Sequence, residues 1–513
     1  MNKEICNSII YNVYPTSFYD SNGDGIGDLQ GIIEKLDYIK QFADIVWVNP
    51  VFKSPFRDGG YDVADYFAID EKFGTMEDVK RLTDKAHALG LKVLFDLVVG
   101  HTSDQHPWFI QSQKYEKNEY SDRYIWMDDV FGWCPYKHIT GFSERDGNYL
   151  VNFFSFQPSL NFGFAEKKFD WQHHYTDEVC QKVHEEVIRI IRHYMALGVD
   201  GFRVDLANSI VKDDEGGKCS CEVWRKIFGR VREEYPNAIF VSEWGQPRYA
   251  VKNGDFDIDF LTHCFDEGYN NLFRKEPDTN VVKSEGHSFF RQDGLGEAKT
   301  FFDYFLSNME EIEGKGYISV VTGNHDLPRI AIGRSQEDLK AVFAFILALP
   351  CVPLIYYGDE IGMPYTKLRS KDGGYCRTGS RTPMQWTAGK NAGFSTTDGE
   401  LYLPVNDNYP EVNVASRQQD ADSLVNEVAK LVAVKRENPD LFGCGNGFEL
   451  VSDTYPLVFK RTDGKRTLLC AVNPSEREYT LDTPHKAVLA SANATVEADK
   501  VTLAPVSYVW LEI

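Results

Sequence analysis

The chain has 513 residues, 42% hydrophobic and 14% aromatic, and carries a formal charge of −22. That length suits one large domain of ~250–400 residues plus one or two smaller ones. The negative charge excludes nucleic acid and anionic membrane surfaces as partners, because either would be repelled at long range. No stretch approaches the ~20 apolar residues of a membrane helix. The opening MNKEICNSIIYNVYP has no basic region leading into a long apolar run, so a cytoplasmic location is expected. The ten cysteines agree with it: they are scattered, lie partly in apolar stretches (Cys180, Cys264, Cys351, Cys470), and show no paired zinc spacing.

In chain order, IIYNVYP (9–15) reads as an apolar strand, followed by DSNGDGIGD (20–28). Asp20, Asn22, Asp24, Ile26 and Asp28 fall at alternate positions among glycines, a spacing that suits oxygen ligands folded around a hard cation. Gly31 stands where a helix-loop-helix calcium loop needs its last glutamate, so that motif is rejected. The other reading is a polar turn capping the helix LQGIIEKLDYIKQF. Strand ADIVWVNPVF (43–52), helix MEDVKRLTDKAHALG (76–90) and strand LKVLFDLVVGH (91–101) follow, the strands nearly continuous in apolar residues as in a parallel sheet covered on both faces. Residues 102–170 are rich in Trp, Tyr, Phe, Asp and Gly without helical period, which predicts an inserted subdomain rather than a loop of that length.

A helix from about Thr176 to Leu197 leads into GFRVD (201–205). Then come a helix near 222–235, the strands AIFVSEW (238–244) and FDIDFLTHC (256–264), a helical region near 297–310, the strand GYISVVTGNHD (316–326), helix EDLKAVFAFILALP (337–350) and strand VPLIYYGDE (352–360). Eight strands, most with a helix before the next, predict a closed (β/α)8 TIM barrel, α/β in class. The last barrel helix is expected at 423–439. Beyond residue 440, short alternating runs between Asp-Gly, Asn-Pro and Thr-Pro turns predict a small all-β sandwich domain. The expected organisation is therefore barrel 1–101, insert 102–170, barrel 171–440 and β-sandwich 441–513.

In GFRVD, residues 203 and 205 share one side of a strand, so a cation and a carboxylate face one space. Alone, the pair is either a structural ion pair or a catalytic centre. The other strand ends add Asp96 and His101, Glu243, His325 and Asp326, and Asp359 and Glu360. In a barrel these would converge on the carboxyl-end mouth. Carboxylates beside histidines and an arginine suit glycoside cleavage, which needs a nucleophile and a proton donor. The spacings of metal hydrolysis and of phosphate-binding loops are absent.

The stretches DLVVGH (96–101), GFRVD, SEW (242–244), GNHD (323–326), FQPSLN (156–161) and GYDVADY (60–66) together make the chain resemble the α-amylase family of glycoside hydrolases over nearly its whole length. Within it, GYDVADY, Gln157-Pro158 and SRTPMQW (380–386) resemble the oligo-1,6-glucosidase and α-glucosidase group, and DSNGDGIGD resembles that group's calcium loop. The resemblance implies Asp205 as nucleophile, Glu243 as acid/base and Asp326 as the carboxylate that holds the distorted sugar. It implies that Arg203 orients Asp205, that His101 and His325 bind hydroxyls, that Tyr61 stacks on the ring, and that Gln157 belongs to the substrate site. Asp62 and Arg381 are expected to close the pocket on a non-reducing glucose. The expected activity is retaining, exo-acting hydrolysis of short α-linked gluco-oligosaccharides, with Ca2+ in the 20–28 loop. The alternatives are a transglycosylase or isomerase resembling sucrose isomerase or trehalose synthase, an endo-acting α-amylase, and a non-catalytic binding relative. Gly100, Leu206 and Ser159 depart from the frequent family residues, so linkage preference does not carry over.

Overall fold

The computed structural model describes residues 5–141, 143–262, 268–275 and 286–513. Cys264 and the end of the expected strand 256–264 lie outside the described residues. Eight short strands form the centre: β1 (Ile10–Val13), β2 (Ile45–Val48), β3 (Lys92–Leu97), β4 (Gly201–Val204), β5 (Ile239–Ser242), β6 (Ile258–Leu261), β7 (Tyr317–Val320) and β8 (Leu354–Tyr356). Each pairs in parallel with its sequence neighbours, and β1 also pairs with β8. A parallel bridge between Val321 and Leu354 joins β7 to β8 and closes the ring. Apart from Lys92 every residue of these strands is buried, as continuous apolar runs covered on both sides require.

Helices α1 (Leu29–Ile39), α2 (Met76–Ala88), α3 (Glu178–Ala196), α4 (Lys218–Arg232), α5 (Pro247–Gly254), α6 (Lys299–Glu311), α7 (Gln336–Ala348) and α8 (Leu424–Glu437) follow the strands in turn. Local chemistry fixes several starts. Thr75 and Asp78 form a capping box on α2, and Ser335 with Asp338 forms one on α7. Close approach decides one residue in β4: a Cβ on Gly201 would collide with the carbonyl of Ile239 on β5, so only glycine fits the start of the strand that carries Arg203.

The connection from β3 to α3 carries a three-stranded sheet, Trp126–Met127, Asn148–Leu150 and His138–Thr140, beside the mouth of the barrel. After α8, strands β9 (Gly447–Ser452), β10 (Leu457–Thr462), β11 (Thr467–Asn473), β12 (Tyr479–Asp482), β13 (Ala487–Glu497) and β14 (Lys500–Glu512) make a second, antiparallel sheet. The expected sandwich takes the form of one hydrogen-bonded sheet. Its long strand β14 pairs with β13 along one edge and with β12 and then β11 along the other. Two bulges bend the β13–β14 ladder, and Val458, Leu469, Val501, Leu503, Val509 and Leu511 gather into a core on one face.

The opposite face packs on the barrel and explains α7. From Asp338 to Ala348 every residue of this helix is buried, because it packs against α8 on one side and against β11 and β14 on another. A helix enclosed in that way must be apolar all round. Trp510 of β14 seals the contact, fully buried against Phe442 and donating its indole N–H to the Ala344 carbonyl at 3.2 Å. Replacing Trp510 by Ala removes a large buried ring, so it should lower unfolding stability by about 3–5 kcal/mol. A denaturation midpoint within error of the wild type would show that the sheet does not support the barrel.

Candidate active site

Polar side chains beyond the carboxyl ends of β2, β3, β4, β5 and β7 meet in one pocket, and a single cation organises them. Arg203 on β4 is 1% exposed. Its Nη1 donates to Asp96 Oδ1 at 2.6 Å and Asp205 Oδ1 at 2.9 Å. Its Nη2 lies 2.5 Å from Glu243 Oε1, an ion pair rather than an aligned hydrogen bond. One planar guanidinium therefore spans three carboxylates from β3, β4 and the end of β5. Asp205 and Glu243, from neighbouring strands, thus meet on one cation.

The backbone supports the pair. Leu206, after Asp205, adopts φ +43°, a left-handed conformation that costs a non-glycine residue about 1–2 kcal/mol. The turn aims the Leu206 N–H at Glu243 Oε2, 3.0 Å away. On the far side, Asp259 of β6 accepts from Ser242 Oγ (2.6 Å), Trp244 N (3.1 Å) and Gly245 N (3.2 Å), pinning the chain around Glu243. Burial and the Glu243 charge push the Asp205 carboxyl well up, against the pull of Arg203. Burial lifts Asp96 to about 6, opposed by Arg203, and Asp96 also accepts from Trp47 Nε1 at 2.8 Å.

Asp326, beyond β7, faces this group. Burial alone would raise its carboxyl, but nearby positive charge outweighs burial and holds it well below the usual range. Arg377 Nη1 donates to it at 2.7 Å and Arg381 Nη2 at 3.1 Å. His325, 3.3 Å from Asp326, is itself driven well below its ordinary value by burial. It is therefore neutral, and the two arginines supply the charge. Asn49 Nδ2 lies 3.1 Å from His325 Nδ1, which leaves the ring proton on Nε2, toward Asp326. Tyr61 stacks on the same imidazole at 5.0 Å, and its hydroxyl meets Asn49 at 2.9 Å. Burial lowers His101 to about 4, so it too is neutral. Its Nε2 reaches the Tyr61 carbonyl at 2.9 Å, and its Nδ1 lies 3.3 Å from Asn152 Nδ2.

Tyr61, His101, Asp205, Glu243, His325, Asp326 and Arg377 line a cavity of about 160 Å³ together with Asp58, Phe153 and Leu206. Five residues expected at the mouth or in the substrate site lie elsewhere. Asp62 does not reach the cavity. It is fully buried in the preceding turn, where it accepts from Ser54 Oγ (2.9 Å), Arg57 N (3.1 Å) and Asp58 N (3.2 Å). Asp58 takes the place expected of it, 3.6 Å from Arg377. Arg381 is buried behind Asp326 against Tyr14 and the His325 carbonyl, and Arg377 is the arginine at the cavity. Gln157 lies behind as well and donates to Asp58 Oδ2 at 2.7 Å. Asp359 and Glu360 do not join the mouth: Asp359 pairs with buried Arg329 (3.1 Å), and Glu360 accepts from Tyr11 (2.8 Å) and Tyr38 (2.7 Å). The missed residues had a signal, since Asp58 stands three positions before Tyr61 and Arg377 four before Arg381.

Of the aromatic residues of the insert, Trp108 and Phe109 are core, Trp133 is exposed, and Phe154 stacks between Phe156 and Tyr375 near the rim. The 20–28 loop lies apart from the cavity. Asp20 accepts from Gly23 N and Gly25 N, each at 2.7 Å, and Asp28 caps α1 through Gly31 N at 2.6 Å. Asp20 and Asp28 are buried, burial raises Asp28, and among the described residues no cationic side chain pairs with Asp20, Asp24 or Asp28. The donor set is all oxygen and short of positive charge, which fits a hard cation. Among the described residues no three His, Cys, Asp or Glu side chains are gathered around one point, so Asn22 and the Ile26 backbone would have to complete such a site.

A closed parallel barrel with an insert after its third strand and paired carboxylates at its mouth defines a sugar-cleaving enzyme. The α-amylase catalytic domain family matches residues 12–443, and the chain belongs to that family of glycoside hydrolases. It is 34% identical to an oligo-1,6-glucosidase of Parageobacillus thermoglucosidasius over 92% of this chain and 90% of that one. It is 32% identical to a glucan 1,6-alpha-glucosidase of Streptococcus pneumoniae over 97% of both chains. Among solved structures, the trehalulose synthase of Pseudomonas mesoacidophila shares the fold with a TM-score of 0.83 at 24% identity, over 99% of both chains.

Asp58 offers a test of the cavity. Burial lifts its carboxyl to about 6, against the pull of Arg377. The folded state therefore holds the proton more tightly than the unfolded state, whose carboxyl ionises near 3.8. The ionised side chain costs the fold progressively more as pH rises from about 4 to 6, reaching about 3 kcal/mol above that. Asp58→Asn should stabilise the protein at pH 7 and not at pH 3.5, by thermal unfolding, while lowering kcat/KM by at least about 100-fold. Unchanged kcat/KM would remove Asp58 from the substrate site.

Proposed function

We propose that the protein is a retaining, exo-acting α-glucosidase that hydrolyses short α-linked gluco-oligosaccharides, with α-1,6 linkages preferred. The observation that carries this reading is the Arg203 bridge between Asp205 and Glu243. Asp205, hydrogen-bonded by Arg203, attacks the anomeric carbon as its carboxylate. Glu243 donates a proton to the leaving oxygen. Water then enters on the same face, Glu243 takes its proton, and the bond to Asp205 breaks. Asp326 stays ionised throughout and binds hydroxyls of the distorted ring beside the electropositive transition state. Neutral His325 offers its Nε2 proton to a hydroxyl, and Tyr61 presents its ring face. A cavity of about 160 Å³ with Asp58 and Arg377 across one end has room for one terminal glucosyl unit, which supports exo action. The linkage preference rests on the 1,6-glucosidase names of the relatives.

The second reading is isomerisation, in which a sugar hydroxyl replaces water in the second step. The structural likeness to trehalulose and isomaltulose synthases favours it as the alternative. Side-by-side reaction with isomaltose, maltose, sucrose, trehalose and starch decides between them. Glucose release from isomaltose is expected, and conversion of sucrose to an isomeric disaccharide at high concentration would favour the isomerase.

The proton donor is tested separately. Glu243→Gln should cut kcat/KM on isomaltose by about 10²–10⁴-fold and spare α-glucosyl fluoride, whose leaving group needs no proton. Equal losses on both would remove Glu243 from that role. We further propose Ca2+ in the loop of Asp20, Asn22, Asp24, Ile26 and Asp28, where it would offset buried negative charge and brace the start of α1. Calcium should raise the melting temperature by several degrees over chelator-treated protein, and Asp24→Ala should abolish the difference. No shift with calcium would leave the loop a simple helix cap. We place the enzyme in the cytoplasm, a setting supported by the nine free cysteines of the described residues.

A further inference from the structure

At the amino-terminal ends of the strands, opposite the catalytic mouth, Cys6 and Cys444 meet. Cys6 lies four residues before β1, and Cys444 lies in the link between the barrel and the second sheet. The Cys444 backbone N–H donates to Cys6 Sγ at 2.9 Å, and the Cys444 thiol donates to the Cys6 carbonyl. The two side chains are therefore direct neighbours, the placement from which a disulfide can form by rotation about their Cα–Cβ bonds.

The surroundings are unusual for two thiols. Lys435 and Arg461, both buried, stand beside the cluster. Among the described residues neither has a carboxylate partner. Lys435 donates to the Leu347 carbonyl, and Arg461 donates to the carbonyls of Ala348, Leu349 and Gly443. Arg461 acts on Lys435, and the thiols of Cys444, Cys351 and Cys6 are the acidic groups that act on both. Both cations pull the Cys444 thiol down, against its contact with Cys6 and its burial. The Cys444 side chain, together with two backbone N–H donors, draws Cys6 down to about 5 despite its burial, and the same contact, with burial, pushes Cys444 well up. Burial pushes Cys180 and Cys221 up to about 12 and Cys351 to about 11. Cys6 is only partly buried and borders, with Cys444, a cavity of about 960 Å³ that admits small oxidants.

We propose that Cys6 and Cys444 are a peroxide-reactive pair that closes to an intramolecular disulfide. The Cys6 thiolate attacks one peroxide oxygen, the O–O bond breaks, and the departing hydroxide takes the Cys444 thiol proton to leave as water. Cys6 is then a sulfenic acid. The Cys444 thiolate attacks its sulfur, the S–O bond breaks, and the second hydroxide takes a proton from solvent. The bond ties the start of the chain to the junction of the two sheets, residues 438 positions apart. Such a link restricts the unfolded chain and stabilises the native one. Because it lies at the end of the barrel away from the cavity, catalysis should be untouched.

The test is peroxide treatment of the full-length protein, maleimide quenching and non-reducing peptide mass spectrometry, alongside brief iodoacetamide labelling near pH 6. Expected are a Cys6–Cys444 linked peptide pair lighter by two hydrogen atoms, reversal by dithiothreitol, a raised melting temperature and unchanged kcat. Cys6 should also alkylate at least about tenfold faster than exposed Cys376. In Cys444→Ser, dimedone should trap Cys6 as its sulfenic acid. Should that variant fail to fold, the wild-type peptide map decides alone. Labelling of Cys6 no faster than Cys376, or oxidation without the linked peptide, would overturn the proposal.

Discussion

One guanidinium holds the active site together. Arg203 is buried among Asp96, Asp205 and Glu243. Removing one member of such a buried group leaves a charge without compensation, which costs about 3–5 kcal/mol. The fold is arranged to deliver that group. Asp96 leaves β3, Arg203 and Asp205 share one face of β4, and Glu243 follows β5, so three adjacent parallel strands bring four side chains to one end. Gly201 permits the close approach of β4 to β5, and the left-handed turn at Leu206 spends backbone strain to fix Glu243 through its N–H.

A second layer of charge gives the pocket its shape. Arg377 and Arg381 keep Asp326 ionised, and Arg377 also reaches Asp58, which Gln157 holds from behind. Neutral histidines fit between these charges because burial strips their protons. Hydrolysis and isomerisation share all of this machinery and differ only in which hydroxyl reaches the glucosyl intermediate. The residues at the rim therefore matter more to the product than those at the centre, and Phe153, Leu206 and the Phe154–Tyr375 stack occupy that rim.

Much of this was legible in the chain because period and position carry it. Apolar runs ending in polar pairs marked the strands of a barrel, and GFRVD, SEW and GNHD marked its mouth. Asp62 and Arg381 were misplaced for a physical reason: each shares its motif with a second residue of the same type, Asp58 and Arg377, and only the path of the turn decides which points inward. Asp359 and Glu360 obeyed the strand-end rule in position but found Arg329 and two tyrosines beneath the surface. Asp259 carries no motif, and its grip on the Glu243 backbone depends on a register between β5 and β6 that no local pattern reveals. The single curled sheet at the carboxyl end likewise depends on bulges in β13 and β14 that alternating runs do not show.

The identity of the nucleophile is the point on which the catalytic reading stands. Incubation with 5-fluoro-α-glucosyl fluoride, which forms the glycosyl-enzyme quickly and releases it slowly, followed by peptide mapping, addresses it directly. A single glucosyl label on the Asp205 side chain is the expected result. Label on Glu243 or Asp326, or turnover with inversion at the anomeric carbon and no label, would contradict the role given to the Arg203–Asp205–Glu243 group.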